Sequence, residues 1–542
     1  MQTQEFLFNP IQAKKASLKN KFGQYFTPEI MASFMINLAT VGKNSKILEP
    51  SCGEGIFIEL LQKQGFQNII AYKIDENLAI HYQNINYESF ISAKIHEKFD
   101  LIIGNPPYIR WANLENELKA ELQNNPLWNK YFNSLCDYLY IFILKSIELL
   151  NEKGELIFIC PEYWLNTTHS ISLRNYMVEN GYFETIYHFN ETPIFDKVAT
   201  STIIFKYIKA KNYNKNNIIS VKKYFANKKL TNEILENLKT NTDFEGAEYI
   251  NLPQFRKNER WVFANPTIKN ELQIFENQCK KPNTNLFENQ INYYTLGEFC
   301  DIGNGLVSGL DKAFQLSDMV LNEDVLTEKE QKNILKVVKA KDLQPFYYEN
   351  ITNYLYVKDG LDENEFATNF PYFYKHLQEY KTDLEKRYQY NRKIQYWEWC
   401  FLRNFALFSS PEKRIFVPCK ERISHKNYFR FALAAAQIYP TQDVTAIFCK
   451  ATTKESIEYI LAFLNHHKIF NWLKINGIVK GNIVEFSEKP LASIPFRAIN
   501  WQKKQEILLH NEITEFCQKY LETKDNEILE KINTLFDELF KL

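Results

Sequence analysis

Glycine and proline are scarce in this chain, 16 and 18 among 542 residues, too few for a collagen-like repeat or a low-complexity protein. Cysteine occurs only as singletons, at Cys52, Cys136, Cys160, Cys279, Cys300, Cys400, Cys419, Cys449 and Cys517, with no CxxC pair and no zinc spacing. An odd, dispersed set fits a reducing compartment and mostly small buried hydrophobes. No apolar run approaches the roughly 18 residues of a membrane span, and the start, MQTQEFLFNPIQAKK, lacks the basic and apolar segments of a secretory leader. The expectation is a cytoplasmic protein without a membrane partner. Net charge is absent too, with 65 Lys plus Arg against 65 Asp plus Glu, so a uniformly basic coat is excluded. A sum of zero can still hide local asymmetry.

Apolar residues are plentiful, 45% hydrophobic and 15% aromatic, enough to bury several cores and to exclude wholesale disorder. At roughly 100–200 residues per domain the length predicts two to four domains. Short apolar runs over Lys46–Glu49, Asn68–Ile74, Phe99–Gly104, Glu155–Cys160, Thr185–Phe189 and Thr200–Tyr207 read as strands. Helical periodicity lies between several of them, at Glu29–Leu38, Tyr138–Leu150 and Leu173–Glu179. That rhythm predicts an α/β domain on a mostly parallel sheet, closed by an antiparallel hairpin from the last two runs. From Ser201 to Thr240 nine Lys face only Glu233 and Glu236, which reads as an exposed strand end and linker. Two domains are therefore expected, 1–242 and 243–542, the second α+β and ending in two helices within Gln502–Leu542.

Two segments carry chemistry. In Lys46-Ile-Leu-Glu-Pro-Ser-Cys-Gly-Glu-Gly-Ile-Phe57 a short strand enters a small-residue turn and then a helix. A turn at the carboxyl end of the first strand of an open α/β sheet is where nucleotide-like ligands lie against backbone. Neither GxGxxG nor GKS/GKT is present, and Glu49 offers a carboxylate where a phosphate site would offer amides. The ligand this suits has a cationic end, such as S-adenosylmethionine. In Phe99-Asp-Leu-Ile-Ile-Gly-Asn-Pro-Pro-Tyr108 a strand ends in a loop stiffened by two prolines. There the Asn105 side-chain oxygen and the Pro106 carbonyl are placed to accept both hydrogens of one amino group, and Tyr108 to stack on the ring bearing it.

With these motifs in order the sequence resembles the γ-class, TaqI-type adenine-N6 DNA methyltransferases of type II restriction–modification systems, over roughly residues 20–210. Gly23-Gln-Tyr-Phe-Thr-Pro28 is similar to the family's N-terminal motif, Asp137-Tyr-Leu-Tyr-Ile-Phe142 to its helix motif, and Thr192-Pro-Ile-Phe-Asp-Lys-Val198 to its base-facing loop. The resemblance implies a Rossmann-like S-adenosylmethionine-dependent methyltransferase domain, a mixed seven-stranded sheet with an antiparallel hairpin, followed by an α+β target-recognition domain. It implies a cofactor site of Thr27, Glu49, Ser51, Gly53, Ser89, Phe90, Asn105 and Phe142, and catalysis by Asn105, Pro106 and Tyr108 with no metal. Tyr108 and Phe195 are expected to sandwich a flipped adenine. Two positions depart from the family. Lys73 stands where an acid usually takes the ribose hydroxyls, leaving Asp75 two residues on as its replacement. Glu88-Ser89-Phe90 stands where Asp-Phe or Asp-Ala usually reads the cofactor amine.

The implied partner is double-stranded DNA, with a cognate restriction endonuclease acting on the same site without binding this chain, which is expected to be a monomer. Alternatives are a protein glutamine-N5 methyltransferase, which shares NPPY, and a decayed DNA-binding protein. Ile302-Gly-Asn-Gly-Leu-Val-Ser-Gly-Leu-Asp-Lys312 is similar to the opening of target-recognition domains. Residues 401–500 hold fourteen Lys plus Arg against seven Asp plus Glu. Basic and aromatic residues interleave there, so Lys413, Arg414, Lys420, Arg422, Lys426 and Arg430 are candidate phosphate contacts. Residues 1–200, with 17 basic and 22 acidic residues, balance that excess.

Overall fold

Short runs that are buried on both sides belong inside a parallel sheet, covered by helices on each face, and the first half of the chain folds this way. In the computed structural model the described residues are 26–74, 84–195, 201–226, 228–282, 292–317, 320, 325–358, 360–389, 393–423, 426–480 and 482–542. They divide by contacts into two units. One runs to Pro266 and takes in Lys480–Asn482; the other holds Thr267–Val479 and Ile483–Leu542.

The first unit alternates strands and helices. These are α1 (Glu29–Ile36), β1 (Ile47–Glu49), α2 (Ile56–Lys63), β2 (Ile69–Tyr72), β3 (Ile85–Asn86), β4 (Phe99–Gly104), α3 (Asn116–Gln123), α4 (Pro126–Tyr131), α5 (Tyr138–Leu149), β5 (Leu150–Pro161), α6 (Ile171–Asn180), β6 (Gly181–His188), β7 (Thr202–Lys209), β8 (Ile218–Tyr224), α7 (Asn232–Thr240) and β9 (Ala247–Pro253). They form one nine-stranded sheet in the order β3-β2-β1-β4-β5-β7-β6-β8-β9. β1 lies parallel to β2 and β4, and β4 to β5, whereas β7 runs antiparallel to both β5 and β6. The expected seven strands and closing hairpin are present, and two more strands extend the sheet.

Those two strands correct the reading of 201–240 as an exposed linker and move the domain boundary from 242 to Pro266. β8 pairs with β6 and β9 pairs with β8, so the sheet continues past the expected end. Lys211, Lys215, Lys228 and Lys229 are exposed there, but other lysines of the stretch are not. Lys206, only 4% exposed, meets Glu155 at 3.3 Å and Glu184 at 2.8 Å. Lys222 donates to the Lys239 carbonyl at 2.6 Å, and Lys223 to the Phe263 carbonyl at 2.6 Å and to Glu248 at 3.1 Å. Long side chains can bury their methylene stems and carry the charge to a partner.

Alternation along the strands fills two apolar clusters, one per face. Leu48, Ile102, Leu156 and Phe158 point to the side covered by α5 and α6. Ile47, Leu101, Ile103, Ile157 and Ile159 point to the side covered by α1, α2 and α7. α5 is apolar nearly all round, as a helix sandwiched in a core must be, and its first turn is capped by the Asp137 carboxylate accepting from Leu139 N at 3.0 Å.

The second unit is α+β. Cys300–Asn304, Val444–Cys449, Arg414–Pro418 and Ala432–Ala434 form one four-stranded sheet, and Gln315–Leu316, Thr352–Leu355, Ile334–Val338 and Ile438–Pro440 another. Lys420–Arg422, Ile483–Glu485 and Ile478–Lys480 make a three-stranded sheet. Helices Lys504–Thr523 and Asn526–Leu539 are the two expected at the end, and they pack into the core with Ile457–Asn465. Among the described residues no helix is long and apolar enough to cross a membrane.

Candidate active site

β1 ends at Glu49, and the chain turns through Pro50 to Gly55 into α2. The turn needs glycine twice, since Gly53 has φ +48° and Gly55, at the helix N-cap, has φ +84°, a region costly for residues with a Cβ. Cys52 N donates to the Tyr72 carbonyl at 3.0 Å, which fastens the turn to the end of β2. The Ser51 hydroxyl donates to the Asn105 carbonyl at 3.0 Å, which joins the glycine turn to the loop at the end of β4. That loop is anchored on its far side as well: Tyr138 N donates to the Ile109 carbonyl at 3.0 Å, and the backbones of Arg110 and Asp137 pair in an isolated antiparallel β-bridge. Burial raises the Asp137 carboxyl above its ordinary range, against the pull of the Tyr163 hydroxyl, the Leu139 amide and Arg110.

A cleft of about 690 Å³, counted with its open mouth, lies between these elements. Pro50, Ser51, Gly53, Asn105 and Pro107 line one side; Tyr72, Phe90, Leu118, Tyr138 and Phe142 supply apolar and aromatic wall. Phe26, Lys73, Ile74, Glu88 and Ser89 complete it. The Phe90 and Phe142 rings lie 5.2 Å apart, and Phe90 and Tyr72 5.8 Å apart. Glu49 is 1% exposed, and its Oε2 has no hydrogen-bond partner among the described residues. Burial pushes its carboxyl up to about 8, and nearby Lys73 pulls the other way. Lys73 is itself buried and donates to the Gly53 carbonyl. The lysine in the usual acid's place therefore braces the glycine turn and partly offsets Glu49. Burial, with Glu49 adding to it, also pushes the Cys52 thiol up to about 12, which keeps it protonated and unsuited to nucleophilic attack.

Of the expected cofactor residues, Ser51, Gly53, Ser89, Phe90, Asn105 and Phe142 are brought together around this cleft. Thr27 is half-buried beside it, while its neighbour Phe26 lines it. Asp75 falls outside the described residues. Pro106 and Tyr108 sit on the loop behind Asn105, with Tyr108 packed against the α5 side of the sheet. Phe195 is 5% exposed within the apolar cluster on the sheet face covered by α1, α2 and α7, whereas Tyr108 packs on the other cluster. Sequence reasoning missed Phe26, Tyr72, Tyr138 and Leu118. Phe26 and Tyr138 lie inside motifs already singled out and Tyr72 next to Lys73, whereas Leu118 comes from α3 and has no local signal.

The six basic candidates of the second unit separate clearly. Arg414 is fully buried, and its guanidinium donates to the carbonyls of Phe408 at 2.6 Å, Ser410 at 2.8 Å and Glu412 at 2.6 Å. Arg430 meets buried Glu421 at 2.6 Å and the Ala340 carbonyl at 3.0 Å. Both hold the fold together, which removes them as phosphate contacts. Lys413 pairs with Glu458 and Lys426 with Glu421, each at 2.9 Å. Lys420 and Arg422 flank Glu421 on one strand, and alternation leaves both exposed while Glu421 is buried.

Residues 24–195 match the family described as Eco57I restriction-modification methylase. The chain is 46% identical over 531 residues to the type II methyltransferase M.HindII of Haemophilus influenzae strain KW20 / Rd, covering 97% of this chain and 98% of that one. It is 44% identical over 528 residues to M.HincII of Haemophilus influenzae, with the same coverage. Among solved structures, the type IIL restriction-modification enzyme MmeI in complex with DNA superposes with a TM-score of 0.59 at 12% identity, covering 98% of this chain and 75% of that one. A DrdV–DNA complex gives 0.50 at 13% identity, covering 94% and 58%. At such identities these two likenesses speak for the fold alone.

Proposed function

The chain belongs to the type II methyltransferases of restriction–modification systems, and from that membership we propose that it methylates adenine N6 in a short double-stranded DNA sequence, using S-adenosylmethionine and protecting the site from a cognate endonuclease. One observation carries the reading: the 3.0 Å bond from the Ser51 hydroxyl to the Asn105 carbonyl, which puts a cation-seeking glycine turn and a rigid amine-accepting loop at one cleft. The residues suit the cofactor. Glu49 has a buried carboxylate oxygen without a partner among the described residues, a fit for an ammonium group. Phe90, Phe142, Tyr72 and Tyr138 offer an aromatic wall for the adenine, and Ser89 a hydroxyl beside it. Bound there, S-adenosylmethionine supplies an electrophilic methyl group on sulfonium.

Within a duplex the target amine is stacked and out of reach, so the base is extruded at a cost of a few kcal/mol. Stacking on Tyr108 returns about 1–3 kcal/mol. The Asn105 side-chain oxygen and the Pro106 carbonyl accept the two N6 hydrogens, which draws the nitrogen lone pair out of ring conjugation and toward the methyl group. No covalent enzyme intermediate is needed, and alignment with preset dipoles supplies the acceleration. Target recognition falls to the second unit, where exposed Lys420 and Arg422 suit phosphate contact. The protein acts as a monomer in the cytoplasm. The test is long-read sequencing of a methylation-free host with and without the gene. A modified adenine in one short motif that appears with the gene and vanishes with Asn105→Ala is expected; no gene-dependent modified adenine refutes the proposal.

A further inference from the structure

α5 carries Tyr138, Phe142 and Lys145 at steps of four and three residues, which place them on one helix face, and all three reach the same short segment. Tyr138 and Ser89 line the same cleft, and the Phe142 ring lies 5.2 Å from Phe90. Lys145, 9% exposed, donates from Nζ to the carbonyls of Phe90 at 2.6 Å, Ile91 at 3.0 Å and Ala93 at 2.8 Å. It also lies 5.0 Å from the Phe90 ring. The turn is otherwise tied by Ala93 N to the Ser89 carbonyl at 3.0 Å, Ile91 N to Ser89 Oγ at 3.2 Å, and Asn125 Nδ2 to the Ile91 carbonyl at 3.2 Å. Among the described residues, Glu121 on α3 and Glu88 ahead of the turn are the charged groups that bear on Lys145. A buried ammonium held by three carbonyls is a costly choice for packing alone.

We infer that the Lys145 ammonium is a positioning group for the adenine half of the cofactor, holding the 89–93 turn so that Ser89 and Phe90 face the cleft, and that cofactor binding requires it protonated. The inference rests on the S-adenosylmethionine reading above. Three carbonyls take three N–H donors, which only the ammonium has; the neutral amine has two and turns a lone pair on the third carbonyl. Burial pulls Lys145 down to about 8, against Glu121 and Glu88, so the loss of that donor falls in a measurable range. A merely structural lysine behaves in the opposite sense. Its folded pKa lies below the unfolded one, so between them the unfolded chain binds more protons and stability rises with pH.

Glu49 titrates in the same range and reads the methionine end, so the probe is 5′-methylthioadenosine, which has the adenine and ribose but no ammonium group. Calorimetric titration of the full chain should show wild-type affinity falling at least about threefold from pH 7 to pH 9.5, while unfolding stability does not fall in parallel. Lys145→Arg keeps its charge and should give a flat profile. Lys145→Met, which removes all three donors to the turn, should bind at least about tenfold weaker at pH 7 and be flat as well. A flat wild-type profile, or a wild-type slope in either variant, overturns the inference; if Lys145→Met fails to fold, Lys145→Arg decides alone. A wild-type protein that binds neither S-adenosylmethionine nor the probe overturns the cofactor reading itself, whereas binding of both with a pH-flat probe overturns only the role of Lys145.

Discussion

Glu49→Gln separates stability from function at one atom. The carboxyl is 1% exposed and sits at about 8 in place of its ordinary 4.5, so its ionised form carries a penalty on the order of 5 kcal/mol before any relaxation, at roughly 1.4 kcal/mol per pH unit. Between those two values the folded chain holds a proton that the unfolded chain has released. Stability therefore falls as pH rises from about 4.5 to about 8. Glutamine cannot ionise and escapes that loss. Relative to wild type, Glu49→Gln should gain about 2 kcal/mol or more on going from pH 5 to pH 8.5, since local relaxation absorbs part of the penalty. For a unit of this size that is roughly 4–8 °C in Tm. The same substitution should cost S-adenosylmethionine at least about tenfold in Kd near pH 8, because the cofactor ammonium loses its counter-charge. Differential scanning calorimetry at the two pH values and titration calorimetry at the higher one measure both. Equal pH dependence of Tm in the two proteins, or undiminished cofactor affinity in the variant, would falsify the assignment of Glu49 as a buried carboxylate awaiting a cation.

Asn105→Ala should abolish methyl transfer to a DNA duplex while cofactor Kd stays within about threefold, since its loop is anchored through backbone by the Ser51 and Tyr138 bonds; loss of cofactor binding would make Asn105 structural. Arg414→Ala should destabilise by about 3 kcal/mol or more through three orphaned carbonyl contacts in the core, and a lowered DNA affinity at unchanged Tm would contradict this. Lys420→Ala and Arg422→Ala should leave Tm within about 2 °C and each reduce the salt dependence of DNA binding by about one unit of slope, read by fluorescence anisotropy across a salt series. Cys52 should resist thiol reagents in the native protein at pH 8, its thiol being pushed up to about 12; labelling as fast as in denaturant would show that the turn opens.

What the sequence determined by itself is the chemistry that sits close in the chain. Strand β4 and the Asn105–Tyr108 loop are local, because prolines dictate backbone and an apolar run dictates a buried strand. The glycine turn after Glu49 is local for the same reason, and so is the order of elements that makes the sheet parallel. The tertiary structure alone decided where charges go. Lys206, Lys222 and Arg414 look like solvent-facing residues until the neighbouring strands, helices and turns supply a carboxylate or a bare carbonyl, and that pairing is invisible along the chain. Phe195 needed the sheet face it folds against, and Leu118 needed α3 to swing over the cleft. Lys73 needed Gly53 within reach, 20 residues away. Net neutrality, likewise, says nothing until burial separates the lysines that brace the sheet from the two on Lys420–Arg422 that face solvent. Spacing reports what backbone geometry imposes over a few residues; desolvation and partner choice depend on what the fold brings near.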